Sequence, residues 1–148
     1  MLVGGQADDL AGAEAAPAGT EAKLAHLEAI HRRKTGAMIN VSLRLGAMTA
    51  SADAAQLKSL SDYGDAIGLL FQVTDDLLDA AGDQAAVGKR VGKDAEAGKL
   101  TYPSLIGIDA SRDYAGQLAK KAERALEGFG PLAEPLRQLA RQILQRDR

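Results

Sequence analysis

Three carboxylates, Asp75, Asp76 and Asp79, stand inside the apolar run FQVTDDLLD. On a helix that turns by about 100° per residue, with Gln72 as origin, they fall at about 300°, 40° and 340°. Gln72 and the three acids then share one polar stripe, while Phe71, Val73, Leu77 and Leu78 cover the rest of the circumference. A helix that is apolar on most sides is buried on most sides, so the stripe is expected to face an internal cleft. Carboxylates gathered in a cleft raise one another's pKa unless a cation sits between them. Mg²⁺ suits that place, because it takes hard oxygen ligands and commonly bridges one or two carboxylates to the phosphates of a substrate. A bare DDxxD is more often a solvated acidic face. Three features favour the metal reading here: the apolar flanks, the pair Gly64 and Gly68 that lets a neighbouring helix come close, and the downstream cations Lys89, Arg90, Lys93 and Lys99, which could close over a polyanion.

Two further clusters carry weaker signals. HRRKTG, from His31 to Gly36, reads by default as the solvated basic face of a helix. In GGQADDL, Gln6 and Asp9 lie one helical turn apart, which capping or surface solvation would also explain. His26 and His31, five residues apart, do not share a helix face and read as surface or packing residues rather than ligands.

The elements that must position these groups are helical. The chain has 148 residues, 46% of them hydrophobic, enough for one folded unit. Alanine, leucine, lysine, arginine and glutamate dominate, and the apolar spacing is that of an all-α domain. One helix is expected from about Thr20 to about Thr49 and another from about Ser51 to Ala81, followed by a short apolar helix, TYPSLIGI, with Pro103 in its first turn. The next is expected to start near Ser111, to bury Tyr114, Leu118, Ala122, Ala125, Leu126 and Phe129, and to stop at the breaker cluster from Gly128 to Pro131. In the last, Leu132, Leu136, Leu139, Ala140, Ile143 and Leu144 form one stripe, with Pro131 and Pro135 near its beginning. Loops are expected from Ala11 to Gly19 and from Gly82 to Lys99.

Composition excludes several classes of function. A net charge of −2, 3% aromatic residues and no tryptophan leave neither the basic field nor the stacking platforms of a nucleic-acid binder. With no cysteine there is no disulfide and no thiolate chemistry. MLVGGQADDL lacks the basic start and long apolar core of a signal peptide, and no apolar run approaches the roughly 20 residues of a membrane span. The chain is expected to be soluble and cytoplasmic. Its first residues are apolar and uncapped, as though the chain enters in the middle of an element.

Taken in order, GGQADDL, HRRKTGAM, FQVTDDLLD, GKRVGKDAEAGKLTYPSL and the terminal QRDR resemble the trans-isoprenyl diphosphate synthases of the polyprenyl synthetase family, closest to the geranylgeranyl and farnesyl diphosphate synthases. The resemblance runs from Gly4 onward and makes residues 1–148 the C-terminal portion of such a domain. It implies an all-α bundle of the isoprenoid synthase type around a deep cavity, with two aspartate-rich motifs on facing helices holding Mg²⁺. By the resemblance, Asp75, Asp76 and Asp79 are the second motif and its metal ligands, Asp75 the principal one. Lys34, Thr35, Gln72 and Asp75 belong to the catalytic set, and Lys34, Lys89 and Lys99 grip the diphosphate. Gln6, Asp9 and Phe71 line the cavity, with Asp94 in the flanking loop. The implied reaction is ionisation of an allylic diphosphate, attack of isopentenyl diphosphate on the resulting carbocation, and loss of a proton.

Family members are roughly twice this length. The first aspartate-rich motif, the grip on isopentenyl diphosphate and the determinants of product length belong to the half not matched, so the chain alone is expected to be inactive. A non-catalytic helical subunit that partners a full-length synthase is the alternative, against which the intact DDLLD weighs. A terpene cyclase of the same helical class is disfavoured by GGQ and KTG. Without neighbouring helices, apolar faces are expected to be exposed, with self-association or association with the missing N-terminal half as the consequence.

Overall fold

The computed structural model describes residues 17–86 and 100–146, and among these every regular element is helical. Helix α1 (Thr20–His31) passes through a π-helical turn, Arg32–Gly36, directly into α2 (Ala37–Thr49), so the run expected from Thr20 to Thr49 is continuous but not uniformly α-helical. The chain reverses through Ser51, whose φ is 57°. Helix α3 (Ala54–Ala86) follows. It opens on Asp53 rather than Ser51: the Asp53 carboxylate accepts from the Gln56 N–H at 2.8 Å while Gln56 Oε1 accepts from the Asp53 N–H at 3.0 Å, a reciprocal capping box. At its other end α3 continues past Ala81 to Ala86, into the segment expected to be a loop.

Helix α4 (Tyr102–Ile106) starts at a second capping box, between Thr101 and Ser104, with Pro103 in the first turn as expected. Gly107, at φ 83°, turns the chain straight into α5 (Ile108–Ala125). That helix therefore begins before Ser111, whose hydroxyl already donates to the Gly107 carbonyl at 2.7 Å. A 3₁₀ turn, Glu127–Ala133, containing Gly130 at φ 61°, separates α5 from α6 (Glu134–Gln145). Arg137 closes this junction by donating to the carbonyls of Leu126 at 2.7 Å and Gly130 at 2.8 Å, groups that the helix end leaves open. Leu132 departs from the expected stripe. It lies on the 3₁₀ turn, out of phase with α6, and is 93% exposed, and Leu139 is exposed as well.

Helix α3 is the axis of the molecule. Tyr63, Ala66, Ile67, Leu69, Leu70, Val73 and Leu77 are buried along it. Helix α5 packs on it through a face rich in small residues, Ala115, Ala119 and Ala122, with Leu118 and Leu126. The α1–α2 run lies antiparallel to α3, with Asn40 donating to Asp65 at 2.6 Å and Arg44 to Ser61 at 3.2 Å. Helix α6 runs parallel to α3. The Tyr63 hydroxyl donates to the Leu136 carbonyl at 2.9 Å near the start of α6, and Arg146 reaches Phe71 and Asp75 at its end. On α2, Met38, Val41, Leu45 and Met48 form an apolar stripe more than half exposed, of the kind expected where neighbouring helices are lacking. No helix among the described residues is long and apolar enough to cross a membrane.

All three tyrosines of the chain hold their protons more tightly than usual. Burial pushes Tyr63 up to about 12 and Tyr102 further; for Tyr114 burial comes first and its hydrogen bond to Glu28 second. A folded state that keeps phenols neutral has its full stability below the ordinary tyrosine pKa of about 10 and loses it as pH rises through the raised values. Stability should therefore be insensitive to tyrosine ionisation up to about pH 10 and fall beyond it. Tyrosinate absorbance and helicity, followed together in an alkaline titration, should change together. Appearance of tyrosinate with helicity intact would contradict the burial of these rings.

Candidate functional site

The acidic stripe divides when α3 is packed. Asp76 is 4% exposed and its Oδ2 accepts from the Tyr102 N–H at 3.1 Å. That N–H is one of the donors left open at the start of α4, where negative charge is also favoured by the helix dipole. Asp76 thus fastens α4 to α3, and Gln72, one turn earlier, is buried on the same ridge. Asp75 is half-exposed and Asp79 exposed, so with Phe71 they form a second, open ridge. The four polar side chains lie on one continuous α-helix as expected, but the stripe does not face a single cleft: one edge of it is buried and the other open. Neighbouring positions differ by about 100°, enough for the core to take Asp76 and leave Asp75 outside.

Lys34 and Thr35 sit on the π-helical turn, both half-buried, between exposed Arg32 and Arg33 and buried Gly36. The basic run is therefore not a uniformly solvated face. π turns inside α-helices interrupt the regular ladder and re-aim side chains, and they recur at functional sites. This one is pressed against α3 at Gly68, where an added Cβ would come within 3.0 Å of Gly36 Cα. Gly64 has the same role one turn earlier, its missing Cβ leaving room for Asn40. The glycine pair expected to admit a close neighbour does so. Because the helices are antiparallel and Gly36 faces Gly68, Lys34 comes level with Leu70, about one turn before Asp75.

Other polar groups meet between these helices in contacts that helical spacing does not give. Arg32 lies 3.7 Å from both Glu28 and Asp65, and Tyr114 donates to Glu28. His31, 3% exposed, stacks on Tyr102 with ring centroids 5.8 Å apart, which bears out a packing role. Arg146 belongs to the terminal QRDR, but no role was expected of it. Its Nη2 lies 3.6 Å from Asp75 Oδ1 and its guanidinium 5.2 Å above the Phe71 ring. Its signals in the sequence are the terminal QRDR and its place one helical turn beyond the buried stripe of α6. Gln6, Asp9, Lys89, Asp94 and Lys99 lie outside the described residues.

The donor set can be tested against Mg²⁺. Among the described residues no three acidic or histidine side chains converge to enclose a cation. Mg²⁺ does not need such a cage, since it usually keeps several waters and takes one or two carboxylates plus phosphate oxygens. Asp75 and Asp79, a turn apart on the open ridge, fit that requirement; Asp76, hydrogen-bonded to the backbone, fits a structural role instead.

Helices arranged in this way form part of an all-α bundle of the isoprenoid synthase type. The fold is similar to a decaprenyl diphosphate synthase from Rhodobacter capsulatus, with a TM-score of 0.81 and 25% identity over 99% of this chain and 56% of that one. It is also similar to an FPP/GFPP synthase from Zymomonas mobilis, with a TM-score of 0.78 and 36% identity over 96% of this chain and 45% of that one. The polyprenyl synthetase model matches residues 1–129, and the chain belongs to that family. It is 44% identical to a chloroplastic geranylgeranyl pyrophosphate synthase from Catharanthus roseus over 99% of this chain and 40% of that protein. It is 42% identical to the farnesyl diphosphate synthase of Escherichia coli K12 over 99% of this chain and 49% of that protein. The chain thus spans less than half the length of these curated relatives.

Two stability measurements test the geometry. Asp76→Ala should lower unfolding stability by about 1–3 kcal/mol, because it strands a buried N–H. Asp79→Asn should change it by less than about 0.5 kcal/mol. Equal effects in denaturant titrations would show that the two ridges are not distinct. Gly68→Ala should cost about 1–3 kcal/mol, since its methyl meets backbone. Gly46→Ala, with nothing within 4 Å, should be neutral or stabilising. A neutral Gly68→Ala would remove the close contact from the account.

Proposed function

We propose that this chain supplies one wall of the active site of a Mg²⁺-dependent isoprenyl diphosphate synthase, which joins isopentenyl diphosphate to an allylic diphosphate. The observation that supports this most directly is the division of DDLLD: one carboxylate belongs to the scaffold, and two stand open on the helix against which the π turn carrying Lys34 and Thr35 packs. Family membership supports the same reading.

In this reading Asp75 and Asp79 accept the cation, and Lys34 donates to the oxygens of the allylic diphosphate. Mg²⁺, when bound, neutralises the charge that grows on the diphosphate. As the allylic C–O bond breaks, pyrophosphate leaves with the bonding electrons, and the fixed ammonium of Lys34 stabilises it without reorganising. Thr35, Gln72 and Phe71 wall the carbocation from water until the isopentenyl double bond attacks it and a proton is lost. Lys89, Lys99, Gln6, Asp9 and Asp94 join the site through the resemblance of their motifs. DDxxD occurs once in the chain, so no second acidic wall is available and the chain alone is not expected to elongate a prenyl chain. The exposed stripe of α2 is where the remainder of a synthase bundle or a second copy would pack.

Thermal unfolding with Mg²⁺ and an allylic thiodiphosphate tests the reading. Ligand at one hundred times its dissociation constant should stabilise the chain by about 2.7 kcal/mol. The shift should vanish in the double variant Asp75→Asn, Asp79→Asn. A shift that survives in the variant, or is absent from the natural chain, would count against the assignment.

A further inference from the structure

Arg146 lies in the closing turn of α6, where its N–H is bonded to the Ile143 carbonyl at 3.2 Å. It is not a loose tail. Ala140 and Ile143 are buried, and the bond from Tyr63 to Leu136 sets the register of α6 along α3. That register delivers the guanidinium to the open ridge, 3.6 Å from Asp75 and 5.2 Å above the Phe71 ring, which lies one turn before that acid. A planar guanidinium can stack on an aromatic face and face a carboxylate at the same time, which an ammonium does less well.

From this placement we infer that Arg146 is a positioning residue for Asp75: it occupies the side of the carboxylate where a divalent cation would bind, and yields that place when the cation arrives. The inference rests on the reading of Asp75 as a metal-facing carboxylate. Two cations beside one carboxylate repel each other, which favours withdrawal of the one more weakly held. Both partners are about two-fifths exposed, at 44% and 41% of their side-chain surface, and a pair so solvated is weak enough to be exchanged.

Binding of Mn²⁺ alone, followed by the resonance of the free ion, tests the exchange in the whole chain. Removing a competing exposed pair should tighten binding by up to about fivefold in Arg146→Ala. Arg146→Lys should fall between, and Asp75→Asn should weaken binding whether or not Arg146 is present. If Arg146→Ala binds Mn²⁺ no better than the natural chain while Asp75→Asn binds it worse, the inference is overturned and the carboxylate assignment stands. If Asp75→Asn binds normally, the carboxylate assignment itself fails. A double-mutant cycle of Arg146→Ala and Asp75→Asn in thermal unfolding without metal supplies the independent arm. A measurable coupling supports the contact, and zero coupling overturns it whatever the metal does.

Discussion

At Gly36 and Gly68 two helices meet with no side chain between them, and the rest of the arrangement follows from that contact. A methyl group at Gly68 would lie 3.0 Å from Gly36 Cα, so the pairing tolerates neither a larger residue nor a shift of register. Once it is made, Asn40 meets Asp65 and Arg44 meets Ser61 along the same seam. The π turn that carries Lys34 and Thr35 is held against α3 by the same pairing. Close backbone approach here trades conformational freedom for placement: glycine costs roughly 0.5–1 kcal/mol in a helix interior relative to alanine, and the packing around it must offset that.

Helix α3 has to serve the core and the site at once. Leu70, Val73 and Leu77 face the interior, and Asp76 goes with them to hold the start of α4. One member of the acidic motif therefore belongs to the architecture, which makes the geometry of the open pair depend on a buried neighbour. Helix α6 adds a third constraint. Running parallel to α3, it closes the core at Ala140 and Ile143 and ends with a cation over Phe71. The two open carboxylates, the buried one and Arg146 are thus all placed by the packing of one helix.

Much of this was legible in the residues. Helical spacing identified every described helix, the inward face of α5 and, apart from Leu132 and Leu139, that of α6, because a 3.6-residue period admits few other readings. Boundaries were less legible, since they were set by reciprocal caps and turns: Asp53 with Gln56 at the start of α3, Gly107 before α5, Gly130 before α6. Leu132 was misplaced for the same reason, as the 3₁₀ turn breaks the phase that a single stripe assumes. The motifs DDLLD and HRRKTG were recognisable in the chain itself, and so was membership of the polyprenyl synthetase family.

What the amino-acid sequence determined by itself is local: which segments coil, which faces are apolar, and which residue types can meet a cation or a diphosphate. The tertiary structure decided how those residues divide their work. Asp75 and Asp76 are adjacent and chemically identical, yet one is open and the other is tied to Tyr102. Arg146 acquires a partner 71 positions away in the chain. Neither outcome can be read from helical periodicity, which orients a side chain only about its own helix axis; what stands opposite depends on the register between helices, and that is set by contacts distant in sequence.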